Sequence, residues 1–180
     1  MDSQIIKEFI NKIDDIHLPR WDELPEFNIY MDQVITILDR YLKFIKIADN
    51  DVICTQSMIN NYVKLRLIKR PYKKQYTKEH LASLIAIIIL KQVFPITEIR
   101  DGIIYQSSFN GYQDAYNCFC VEIEKALKEE LKLNVEDNEL DNTIIDSDES
   151  KVLVKMATKA FASKFIVSNI IYLKKKERYE

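Results

Sequence analysis

Apolar residues along this chain recur mostly at three-and-four spacing, the mark of helices that bury one face. Ile5, Ile6, Phe9, Ile10 and Ile13 repeat in this way behind Asp2 and Ser3, both good helix caps, so a first helix is predicted to about Asp15. Residues 17–27 hold Pro19, Trp21 and Pro25 and predict an irregular connector packed through its Trp and Leu side chains. Met31, Val34, Ile35, Leu38, Tyr41, Leu42 and Ile45 then trace a single stripe, a long helix from Tyr30 to Ile47. The polar turn Ala48, Asp49, Asn50, Asp51 breaks it, and Thr55 caps a short helix reaching Arg66, with Met58, Ile59, Tyr62 and Val63 inward. Pro71 forbids continuation, which leaves 69–76 as a loop or short two-stranded wing. Thr77 opens a helix through Leu81, Leu84, Ile85, Ile88, Ile89 and Val93 that is predicted to be nearly engulfed, and Pro95 closes it. Further helices are predicted over Ile96–Ile104, where Gly102 blurs the end, over Tyr112–Leu131, and from about Glu149 to Lys175.

The fold class that follows is mostly α. Only two glycines, Gly102 and Gly111, supply free positive φ, which argues against hairpin-rich β folds and glycine-rich phosphate loops. The apolar run 81–90 is about half the length a membrane span needs, and Lys155, Lys159 and Lys164 give the segment 152–173 a wet face, so no membrane partner is expected. Cys54, Cys118 and Cys120 are odd in number and follow no secretory leader, which fits a reducing cytoplasm. His17 and His80 are isolated, Cys118 and Cys120 lie one residue apart and are expected as core thiols, and no catalytic or phosphate-loop motif is present. Neither an enzyme nor any cofactor or metal is implied.

Charge changes the picture most. The chain carries −2, yet between Tyr62 and His80 seven cations (Lys64, Arg66, Lys69, Arg70, Lys73, Lys74, Lys78) face one acid, Glu79. On the helix from Thr55 to Arg66 the residues left outward are Gln56, Ser57, Asn60, Asn61, Lys64 and Arg66, amides and cations suited to base edges and phosphates. The segment behind it adds Lys69, Arg70, Lys73 and Lys74, with Tyr76 at its end. A helix narrow enough for a major groove followed by a basic loop that lies along phosphates meets both needs of sequence-specific binding. Asn60 is the favoured adenine reader. Residues 129–149, by contrast, hold nine acids against Lys132 and read as a solvated linker (132–149).

The segments YMDQVI (Tyr30–Ile35), MINNYVK (Met58–Lys64), PYKKQYT (Pro71–Thr77) and ILKQVFPITEI (Ile89–Ile99) resemble an uncharacterised bacterial domain-of-unknown-function family held to be helix-turn-helix. More distantly, the stretch is similar to the winged-helix head of MerR-type regulators. Thr55 matches the cap of that recognition helix, Tyr62 its second tyrosine, Leu67 and Ile68 the closing pair, Pro71 the wing proline and Tyr76 the tyrosine before the next helix. Asn60 and Asn61 replace an Arg-Tyr of the pattern, and Arg66 stands where it has glycine. The resemblance implies a winged helix-turn-helix head with additional N- and C-terminal helices, double-stranded DNA as partner, a homodimer through the C-terminal helices and an effector of unknown kind. The divisions expected are 1–20 (N-terminal helix and connector), 21–106 (DNA-binding head) and 107–180 (helical C-terminal region). The function expected is transcription regulation. The competing reading is a helical protein-interaction or sensor module whose basic loop meets an acidic partner, or the acidic linker itself.

Overall fold

The structure, a computed structural model, describes residues 4–48, 50–132 and 149–179. Asp2, Ser3, Asp49 and the acidic stretch 133–148, for which caps, a turn residue and a linker were expected, lie outside the described residues. The chain is mostly helical: α1 (Gln4–Asp14), α2 (Met31–Tyr41), α3 (Gln56–Lys64), α4 (Lys78–Leu90), α5 (Ile96–Lys132) and α6 (Glu149–Tyr179), with short 3-10 turns at Trp21–Glu23 and Lys43–Ile45. Two isolated antiparallel bridges are the β pairing among the described residues.

Contacts divide the chain into two compact units, Leu18–Cys120 and Met1–His17 with Val121–Glu180. The head therefore runs past the expected end at residue 106. Its extension is anchored by Tyr116, whose buried hydroxyl donates to the Pro19 carbonyl at 2.7 Å, and by Asn117, whose Oδ1 accepts the Trp21 amide at 2.8 Å. Burial, more than any neighbouring charge, pushes the Tyr116 hydroxyl pKa up. The expected N-terminal division splits at the same place: Leu18 and Pro19 are buried in the head, while α1 belongs with α6, where Phe9 lies 6.2 Å from Phe165 and Phe165 stacks on Phe161 at 5.7 Å.

α4 is the axis of the head. His80, Leu81, Ala82 and every residue from Leu84 to Ile89 are buried, so this helix has no wet face. Each Leu or Ile buried there contributes about 1.5–3 kcal/mol relative to exposure. α2 packs on it through Val34 and Leu38 and also meets α3. α2 ends at Tyr41 rather than continuing to Ile47, because Leu42 leaves helical geometry (φ −105°, ψ 16°) to reach the core, where it is fully buried. Residues 42–55 then carry the chain to α3; the Asp51 carboxylate accepts the amides of Ile47 and Ala48, both at 2.9 Å, and those bonds hold its pKa below the usual carboxylate range.

α5 is interrupted, but not at Gly102. Gly111 takes φ 82° and ψ 176°, which an L side chain adopts only under strain, whereas Gly102 remains within the helix.

Candidate nucleic-acid interface

α3 is short because both its ends are capped. At the start the Met58 amide donates to the Thr55 hydroxyl at 3.2 Å. At the finish Leu67 N–H donates to the Tyr62 carbonyl (2.9 Å) and Arg66 N–H to that of Val63 (3.1 Å), a Schellman motif whose left-handed residue is Arg66, φ 59°. This conformation explains why glycine belongs at that position in the resembled pattern. Ile59 and Tyr62 face the core, and burial pushes the Tyr62 hydroxyl up to about 12. Gln56, Ser57, Asn60, Asn61 and Lys64 are exposed, so the outward amide-bearing face expected from the sequence forms; Arg66 stands exposed just beyond the helix rather than on it.

Behind α3 the chain makes a minimal hairpin. Tyr72 bridges Gln75, whose amide donates to the Tyr72 carbonyl at 2.9 Å, and the two residues between them, Lys73 and Lys74, have φ 47° and 62°. Positive φ at both central residues is what a type I′ turn requires, and Asn-Gly is its usual sequence. Lys73 Nζ lies 5.4 Å from the centre of the Tyr72 ring, itself 76% exposed. The hairpin is tied down where Ile29 and Tyr76 exchange both backbone hydrogen bonds, at 3.0 and 2.8 Å.

Tyr76 corrects the expected site. It is 3% exposed and packs edge-on against His80 at 5.4 Å, so its side chain is part of the core and offers nothing to a surface ligand. The closed alternation at the bridge turns Tyr76 inward while Gln75 reaches Tyr30 at 3.4 Å. Lys69, Arg70, Lys73 and Lys74 are exposed as expected. Lys69 is partly engaged, with its ammonium 3.0 Å from Glu79 and 5.5 Å from the Tyr112 ring centre; the hydrogen bond it donates to the Glu79 carboxylate raises its pKa.

His80 holds this arrangement together. Its Nδ1 accepts the Thr77 amide (3.0 Å) and lies 2.8 Å from the Thr77 hydroxyl, which assigns the proton to Nε2, donating to the Lys69 carbonyl at 3.1 Å. One neutral ring thus caps α4 and pins the entrance of the hairpin. Burial lowers its pKa. Sequence reading set His80 aside as an isolated histidine; the capping position after Thr77 was the available signal.

A cavity of about 670 Å³ opens between the end of α3, the hairpin entrance, the first turns of α4 and residues 100–112 of α5. Lys64, Arg66, Lys69 and Arg70 reach it from the expected basic surface, and Arg100, which sequence reading did not single out, comes to it from α5. No signal in the chain joins Arg100 to a cluster some thirty residues upstream. Among the described residues no group of three His, Cys, Asp or Glu could hold a metal ion, and no helix is long and apolar enough to cross a membrane.

The non-glycine residues with positive φ among those described are Arg66, Lys73 and Lys74, all three exposed cations. Left-handed backbone costs an L residue about 1–2 kcal/mol. Arg66→Gly is therefore expected to raise stability by about 0.5–1 kcal/mol, once the greater unfolded-state freedom of glycine is subtracted, while removing one surface charge. Thermal unfolding of the two proteins checks this; a variant less stable than the parent rules the strain out.

The head is thus a mostly helical domain that sets a short capped helix beside a basic two-residue turn. Its sequence, over residues 19–119, matches the family model described as Domain of unknown function (DUF1836), and the chain belongs to that family. The matched stretch nearly coincides with the compact unit Leu18–Cys120. No curated protein and no solved structure matches the chain.

Proposed function

We propose that the chain is a cytoplasmic transcription regulator that binds duplex DNA through a winged helix-turn-helix, MerR-like head. In this reading α3 enters the major groove with Asn60 on a base edge, and the Tyr72–Gln75 hairpin is a minimal wing whose lysines lie on phosphates. The observation that carries the reading is the coincidence of backbone strain with cationic residues: Arg66, Lys73 and Lys74 hold conformations that favour glycine, yet all three are exposed cations within residues 66–74, just after α3. Strained backbone of this kind concentrates at functional sites. Residues 42–55 stand where a helix-turn-helix has a turn of about three to four residues, so the reading keeps the wing and the groove helix with a longer link between the paired helices.

Selection from random oligonucleotides at two salt concentrations tests the function. A specific reader enriches one motif at both, a non-specific cation enriches none and is lost at high salt, and a protein that retains no DNA even at low salt ends the proposal. On the enriched motif, Asn60→Ala is expected to lose about 1–3 kcal/mol, roughly 5- to 100-fold, with little change on random DNA. Equal losses on both would remove Asn60 from base readout.

A further inference from the structure

We propose that the 670 Å³ cavity beside the hairpin is a binding site for a small amphipathic anion, a carboxylate or phosphate headgroup on an apolar body, and that filling it competes with DNA. The volume is in the range of small-molecule sites, roughly 300–1,000 Å³. Five cations from three parts of the head border it: Lys64 and Arg66 at the end of α3, Lys69 and Arg70 at the hairpin entrance, and Arg100 on α5. The one carboxylate in the lining, Glu79, is already held by Lys69 at 3.0 Å. Lys64, Arg66 and Arg70 make no ion pair with another described residue, so positive charge is left over and an anion is the complement the site requires.

The rest of the lining explains why the anion carries an apolar body. Ile103, Ile104 and the Tyr112 ring border the same space, and Ile104 and Tyr112 are 57% and 37% exposed. A ligand that covers them removes apolar surface from water while its headgroup meets the guanidinium groups. Arg100 is suited to the headgroup: Asp101 occupies its Nε at 3.0 Å and leaves the terminal N–H groups to form the fork that matches a planar carboxylate or a phosphate.

Competition with DNA rests on the proposed function, because Arg66, Lys69 and Arg70 belong both to this lining and to the basic surface. An anion bound there cancels charge that would otherwise meet phosphates. Arg100 belongs to the cavity alone, which separates the two ideas.

Calorimetric titration of the full chain with 2-naphthoate and octanoate, against 2-naphthylmethanol and inorganic phosphate, tests the site. At least one of the amphipathic anions is expected to bind with one-to-one stoichiometry, at least tenfold tighter than either control. Arg100→Gln is expected to weaken it by about tenfold or more, the usual loss for a charge-assisted hydrogen bond, and to leave DNA affinity unchanged. Failure of both anions to bind, or binding indifferent to Arg100→Gln, overturns the site. Binding of an Arg100-dependent anion that leaves DNA affinity unaltered overturns the competition, and the same anion binding to a chain that binds no DNA overturns the regulator reading while the site stands.

Discussion

On the proposed DNA-binding reading, replacing Lys73 and Lys74 together by alanine is expected to lower affinity for every duplex by a similar factor, about 50-fold near 0.1 M salt, because each lysine neutralising a phosphate releases close to one counterion. The slope of log affinity against log salt falls by about two for the same reason. Alanine in left-handed backbone also leaves the turn strained, so a second variant, Lys73→Asn with Lys74→Gly, separates charge from shape. That pair suits a type I′ turn and is expected to keep the hairpin, and even to stabilise it, while losing the same affinity. Fluorescence anisotropy over a salt series reads both quantities; a slope equal to that of the parent would take these lysines off the DNA.

The second large effect is on stability. His80→Phe keeps a ring against Tyr76 but strips the Thr77 amide and the Lys69 carbonyl of their partner. Each partly buried orphan costs about 1–3 kcal/mol, so the head is expected to lose about 2–6 kcal/mol in all. The histidine also makes stability depend on pH. Its folded pKa lies below the ordinary value of 6.5, so the unfolded chain takes up the proton first. The contribution is fully present above about pH 6.5 and is lost as pH falls through the lowered folded value. The hydrogen bond to the Lys69 carbonyl and the Glu79 carboxylate favour protonation, but burial, aided by the Lys69 ammonium, outweighs them. Melting curves of parent and variant at pH 7.5 and 5 isolate the effect: the difference between the two proteins is expected to shrink at the lower pH. A difference that is the same at both means that His80 does not titrate in this window.

Periodicity located the helices of the head, though not the end of α2, since a stripe of residues such as Val34 and Leu38, or the apolar run in α4, reflects burial directly. The outward face of α3 was legible for the same reason: with Ile59 and Tyr62 inward, Asn60, Asn61 and Lys64 have nowhere else to point. What escaped depended on contacts distant in sequence. The break in α5 at Gly111 falls in the gap between the two helices expected there, whereas Gly102, expected to blur a helix end, stays within the helix. Tyr76 reads as a surface aromatic beside lysines until the backbone pairing with Ile29 turns it inward. Arg100 joins the basic cavity only because α5 folds back on the end of α3. The end of the head at Cys120 was likewise hidden, because it rests on bonds from Tyr116 and Asn117 to a connector about a hundred residues earlier.

The all-round burial of α4 also sets how this protein fails. Residues 84–90, LIAIIIL, combine β-branched and apolar side chains with no charge and no proline, a composition prone to cross-strand association once uncovered. Partial opening of the head releases this segment into water. Weakened variants are therefore expected to leave solution as aggregates instead of accumulating as soluble unfolded chains, and their yield in cells tracks how often the central helix is laid bare.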